Sequence, residues 1–198
     1  MTKGLTISFL LISLVAFGQP EKYIESAKKL KSYFSFSKNQ DSIKYQKLFF
    51  EEFPGNFKDF NEIFGYDSEI NDISYHGAPL YDGYDYISYF FSITSIIEKT
   101  FYLKIINISL GGRWDADAVN YFQRGLRQKI FQNPKLTFDL LKNKSDNEIK
   151  SFFFFFFHSV HPVYTSIPPV LKEMKHYDEK IYSLLEHGFA QALKESGH

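Results

Sequence analysis

The amino-acid sequence predicts an all-α fold, a single compact globule of about eight helices around a Phe-rich central helix at residues 149–157. Three observations predict it. Apolar residues recur at steps of three and four along most of the chain, the period of a helix with one buried face. Pro and Gly punctuate these stretches at Pro54-Gly55, Gly111-Gly112, Pro134 and Pro168-Pro169. A capping box, Ser145-Asp146-Asn147-Glu148, stands directly before an apolar run.

In chain order, the first stretch is not part of the globule. Lys3 precedes an apolar run from Leu5 to Phe17, which ends at Ala16-Phe17-Gly18 with small residues three and one before Gln19. This is the pattern of a cleavable signal peptide, and the run is shorter than the roughly 20 residues a bilayer-spanning helix needs. The expected organisation is therefore a signal peptide at 1–18 and one helical domain at 19–198, periplasmic or secreted. There is no cysteine. That excludes disulfides and a lipid-bearing Cys at the cleavage point, so no membrane attachment is expected after signal cleavage.

Pro20 suits the first turn of a helix to about Phe36, with Tyr23, Ala27, Leu30 and Phe34 on one stripe. After the polar break at Ser37–Gln40, Asp41 can cap a second helix that Pro54-Gly55 ends. Phe57, Phe60, Ile63 and Phe64 mark a short third helix stopped by Gly65. Residues 66–84 lack periodicity and read as the longest loop. A long helix is predicted over about 85–108, with Ile87, Phe90, Phe91, Thr94, Ile97, Phe101, Ile105 and Ile108 inward. The next is predicted over about 116–131, with Ala118, Val119, Phe122, Leu126 and Ile130 inward, and Leu136, Phe138, Leu140 and Leu141 mark another. After the capping box come Ile149 and six consecutive phenylalanines, apolar nearly all round as in a central helix. Phe also suits strands, but the capping box and the helical neighbours decide for helix. A last helix of about twenty residues buries Tyr177, Ile181, Leu184, Leu185, Phe189 and Leu193.

Twenty-three Lys and Arg balance 23 Asp and Glu, interspersed throughout, without the basic patch of a nucleic-acid binder. Aromatic residues are abundant: 23 Phe and 14 Tyr against two Met and one Trp. Such density supplies a large core and leaves tyrosines over for a contact surface.

Two motifs could carry chemistry. Asp115 and Asp117, in Gly111-Gly112-Arg113-Trp114-Asp115-Ala116-Asp117, form a D-x-D pair suited to a divalent metal, and Arg113 could grip an anion. The same run reads structurally as Asp115 at the N-cap, Asp117 in the first turn and Trp114 stapled onto Val119. His158 and His161, spaced i, i+3, could join the aspartates as a metal site of a hydrolase acting on envelope material; His158 also suits a helix C-terminus. Glu51-Glu52 and Glu62 have no spacing that identifies a catalytic carboxylate pair. Neither a G-x-S-x-G elbow nor a phosphate-binding glycine loop is present, and no cofactor is implied.

The loop is the other candidate. Tyr66, Tyr75, Tyr81 and Tyr84 stand among small polar residues, a paratope-like composition. With Asp67, Asp82 and Asp85 as the polar rim, and with Arg113, they would bind a protein partner; the alternative is that the rings fold back over the core.

Three runs, residues 49–66, 112–123 and 145–152, resemble together a group of small exported helical proteins of Bacteroidetes and other Gram-negative bacteria. Some of that group are taken to be immunity proteins to secreted toxins. The resemblance implies a periplasmic protein that binds and occludes an antibacterial toxin, and it carries no catalytic residues with it.

Overall fold

The computed structural model describes residues 19–39, 42–66 and 78–196. The expected signal peptide at 1–18, the predicted cap Asp41, the rim residue Asp67 and the loop tyrosine Tyr75 lie outside these residues. The described residues form ten α-helices and one short 3-10 turn, with no strand among them. None of these helices is long and apolar enough to cross a membrane.

Helix α1 (Gln19–Asn39) buries Tyr23, Ala27 and Leu30 as its stripe requires. It continues through Ser37 and Lys38, where a break was expected. Helix α2 (Ser42–Glu52) packs along it and buries Phe49 and Phe50. The short α3 (Phe57–Phe64) is capped by Asn56, whose Oδ1 accepts the Asp59 N–H at 2.9 Å.

The long helix expected at 85–108 is two helices, α4 (Tyr84–Ser92) and α5 (Glu98–Ser109). The break falls on Ile93-Thr94-Ser95-Ile96-Ile97, where β-branched residues and serine are poor helix formers. The apolar pattern runs across the break unbroken, so periodicity alone conceals it. Ile97, expected inward, is 77% exposed.

Helix α6 (Ala118–Gln132) buries Val119, Phe122, Leu126 and Ile130. Asn133 then caps α7 (Pro134–Leu141) through the Leu136 N–H at 3.2 Å. Ahead of α8 (Asp146–Phe157) the capping box is complete: Ser145 Oγ accepts the Glu148 N–H, and Glu148 Oε2 accepts the Ser145 N–H at 2.8 Å. All six phenylalanines from 152 to 157 are at most 5% exposed, so α8 is the central helix the sequence predicts.

After the one-turn α9 (Pro169–Lys172) and the 3-10 turn (Glu173–His176), α10 (Glu179–Ser196) lies along α8. Gly188 permits that approach. A Cβ there would meet the Lys150 carbonyl oxygen at 2.7 Å and Phe153 Cβ at 2.8 Å. Tyr177, expected inward, precedes α10 and is exposed, its hydroxyl donating to Asp139 at 2.8 Å.

The core is an aromatic lattice. Phe53 stacks on Phe90 at 3.9 Å between ring centres, and Phe60, Phe64, Phe101 and Phe122 extend the set. Phe155 joins it to α8 through Phe57 and Phe122. Each such pair contributes about 0.5–1.5 kcal/mol beyond its buried area. In a chain without disulfides this packing carries the stability.

Candidate functional site

The residues singled out in the sequence separate into three places. The first is a junction between the end of α3 and the start of α6. The chain at Ala78–Leu80 is pinned there by the Ala78 N–H on the Gly65 carbonyl (2.9 Å) and the Leu80 N–H on the Ile63 carbonyl (2.8 Å). This brings Tyr81 beside Tyr66, ring centres 5.6 Å apart.

Both aspartates of the D-x-D pair face these tyrosines. Asp115 is not the N-cap: its Oδ2 accepts the Tyr66 N–H at 2.9 Å and its Oδ1 the Ala116 N–H at 2.7 Å. Committed across the junction, Asp115 leaves the cap to Asp117, and α6 starts at Ala118, later than the expected 116. That shift also removes the register of the Trp114–Val119 staple.

Asp117 stands at φ 49°, ψ −109°, the one non-glycine residue at positive φ among the described residues, and its side chain bonds no N–H of the helix. Its carboxylate accepts the Tyr81 hydroxyl instead. That hydrogen bond, with desolvation and the charges of Asp117 and Asp115, holds the Tyr81 phenol well above its ordinary range.

The second place lies at the end of α8. His158 Nδ1 accepts the Trp114 N–H at 3.0 Å, and the imidazole stacks on Phe154 with centres 4.6 Å apart. Burial lowers its pKa; Glu195 pulls the other way and Arg113 reinforces the fall. His158 is thus a neutral acceptor with its proton on Nε2. Arg113 pairs with Glu195 of α10 at 3.1 Å and lies over the Phe154 ring. His161 is exposed. Among the described residues no three of His, Cys, Asp and Glu converge as a metal set, so His158, His161, Asp115 and Asp117 are not brought together for that chemistry.

The third place is the outer face of α6, which the sequence did not single out. Its inward stripe is core, and two of its polar residues serve α8. A helix C-terminus leaves carbonyls without partners; here Gln123 Nε2 donates to the carbonyls of Phe155 (2.5 Å) and His158 (3.0 Å), and Arg127 Nη1 to that of Phe156 (3.2 Å).

The remaining stripe, Asn120, Arg124, Gln128 and Phe131, together with Arg127, forms one wall of an open cavity of about 530 Å³. Val163 and Tyr164, from the segment between α8 and α9, form the facing wall. Tyr164 is held there edge-on to Phe131 and Phe157, both at 6.1 Å.

A second cavity of about 260 Å³ adjoins it, sharing Tyr121, Arg124 and Gln128 and bounded by Tyr84, Ile87, Ser88 and Phe91. Gly125 forms its floor, because a Cβ there would fall 2.3 Å from the Phe91 ring. Tyr84 meets Tyr121 edge-on at 5.1 Å and is 51% exposed. Tyr84 belongs to the first turn of α4 and not to the loop, beside the exposed Asp85 that was expected there, while Asp82 is exposed just before it. Together the cavities make a groove lined by aromatic, amide and arginine side chains, with no carboxylate among its described lining residues.

The signal that could have found this groove is the outward stripe of α6, where amides, arginines and aromatics alternate along a helix whose opposite face is mostly apolar. Comparison of the chain with protein-family models, curated proteins and solved structures finds no match.

Proposed function

We propose that this chain is an exported binding protein of the periplasm, most concretely an immunity protein that binds a secreted antibacterial toxin and occludes its active site. The observation that carries the reading is the groove between α4 and α6. Tyr and Arg are the residue types over-represented at interface centres, because each offers large contact area together with hydrogen bonds. Tyr84, Tyr121 and Tyr164 are held there by ring contacts and helix packing, so little ordering cost attends binding. The exposed Tyr66, Asp82 and Asp85 widen the surface around its α4 end. The export motif at the N-terminus and the resemblance to exported immunity proteins point the same way.

Purification from the native periplasm under mild salt tests this. The expected result is one stoichiometric protein partner, with Tyr84→Ala and Tyr121→Ala each weakening its capture about tenfold or more at an unchanged melting temperature. Recovery of the chain alone, or capture indifferent to both substitutions, overturns the reading.

A further inference from the structure

The α6 groove holds two cations with no anion among its described lining residues. Arg127 is 8% exposed, and its one hydrogen bond among the described residues goes to a neutral carbonyl. Arg124 lies one turn before it on the same stripe. Among the described residues no ion pair reaches either guanidinium. A buried charge without a counter-charge is costly, and like charges three apart on a helix repel each other. Burial, with Arg124 adding to it, pulls the Arg127 pKa below its ordinary value against the influence of Tyr164. Capping the Phe156 carbonyl does not account for this arrangement, because it occupies one of the five N–H groups of Arg127 and a neutral amide does the same work at Gln123.

We infer that the larger cavity is an oxyanion-binding pocket, taking a carboxylate or phosphate group carried on an apolar or aromatic body. The two guanidinium forks match either oxyanion. Asn120 and Gln128 add amide donors beside them, and Tyr121, Phe131 and Tyr164 give apolar walls for the body. Its volume, about 530 Å³, lies within the range of small-molecule sites. This inference stands apart from the protein-binding reading: the pocket takes its anion whether or not a partner covers the face.

The test is calorimetric and NMR titration of the purified full chain, in low-salt Tris chloride, with phenylacetate, phenyl phosphate and the neutral phenylacetamide. Both anions, or one of them, bind at least about tenfold tighter than the amide, and added salt weakens them. Preference for phenylacetate identifies a carboxylate ligand, and preference for phenyl phosphate a phosphorylated one. Arg124→Gln, at an exposed position with no ion pair among the described residues, lowers anion affinity about tenfold without altering the melting temperature. Arg127→Lys keeps the charge but loses the fork, and lowers it further. Equal binding of the amide, binding of neither anion, or an Arg124→Gln chain that binds like the parent overturns the inference. Loss of anion binding with partner capture intact would remove the pocket and leave the protein-binding reading standing.

Discussion

The α3–α6 junction and the outer face of α6 draw on similar residue types and use them in opposite ways. At the junction, and at the neighbouring end of α8, the polar groups are spent on one another: Asp115 on the Tyr66 N–H and Asp117 on the Tyr81 hydroxyl, then His158 on the Trp114 N–H and Arg113 on Glu195. On α6, Arg124 and Arg127 meet no carboxylate among the described residues, and Tyr84 and Tyr121 stand at an open groove. The residues that looked most chemical in the sequence hold the fold. The groups still available to a ligand lie on a helix whose other side is core.

Substitutions should separate the two regions by stability and by binding. The largest loss of stability is expected behind the groove. Gln123→Ala leaves one buried and one half-buried carbonyl without donors and opens a small cavity, a cost of about 3 kcal/mol in denaturant unfolding. At the junction, Asp117→Ala removes the acceptor of Tyr81 while keeping the strained backbone, for about 2 kcal/mol. Asp117→Gly relaxes the positive φ and should cost about 1 kcal/mol less than the alanine. If alanine and glycine prove equal there, the backbone is not strained.

The third effect is a pH dependence set by His158 at the end of α8. Burial depresses the pKa of His158 in the folded chain, so below its ordinary value of about 6.5 the unfolded state binds the extra proton more readily. The stability His158 contributes is complete above that pH and is lost as pH falls towards the depressed folded value. Thermal melts between pH 8 and 5 should show this decline, and His158→Gln should flatten it. The smallest effect belongs to the groove: Arg124→Gln should change stability by less than about 0.5 kcal/mol, tending to stabilise by easing repulsion from Arg127.

Much of the architecture was legible in the sequence, and the particular elements show why. The capping box and six consecutive phenylalanines located α8, because a reciprocal cap and an all-apolar surface leave a central helix as the consistent solution. The stripe Val119, Phe122, Leu126, Ile130 oriented α6. The break between α4 and α5 was hidden because Ile93 and Ile97 keep the helical period while their branched side chains disfavour the helix. The start of α6 was misplaced because local sequence cannot reveal that Asp115 is claimed by Tyr66, 49 residues away. The groove was missed for a related reason. Its walls come from α4, α6 and the segment after α8, and the burial of Arg127 among them depends on packing, which spacing does not encode.

The central claim is that a partner docks on the α4–α6 face. A photo-crosslinking residue placed at position 84, and separately at the exposed position 177 beside α7, tests it most directly in cells that make the native partner. The account predicts one discrete adduct from position 84 and none from position 177. Adducts of equal yield from both positions, or from position 177 alone, would contradict it.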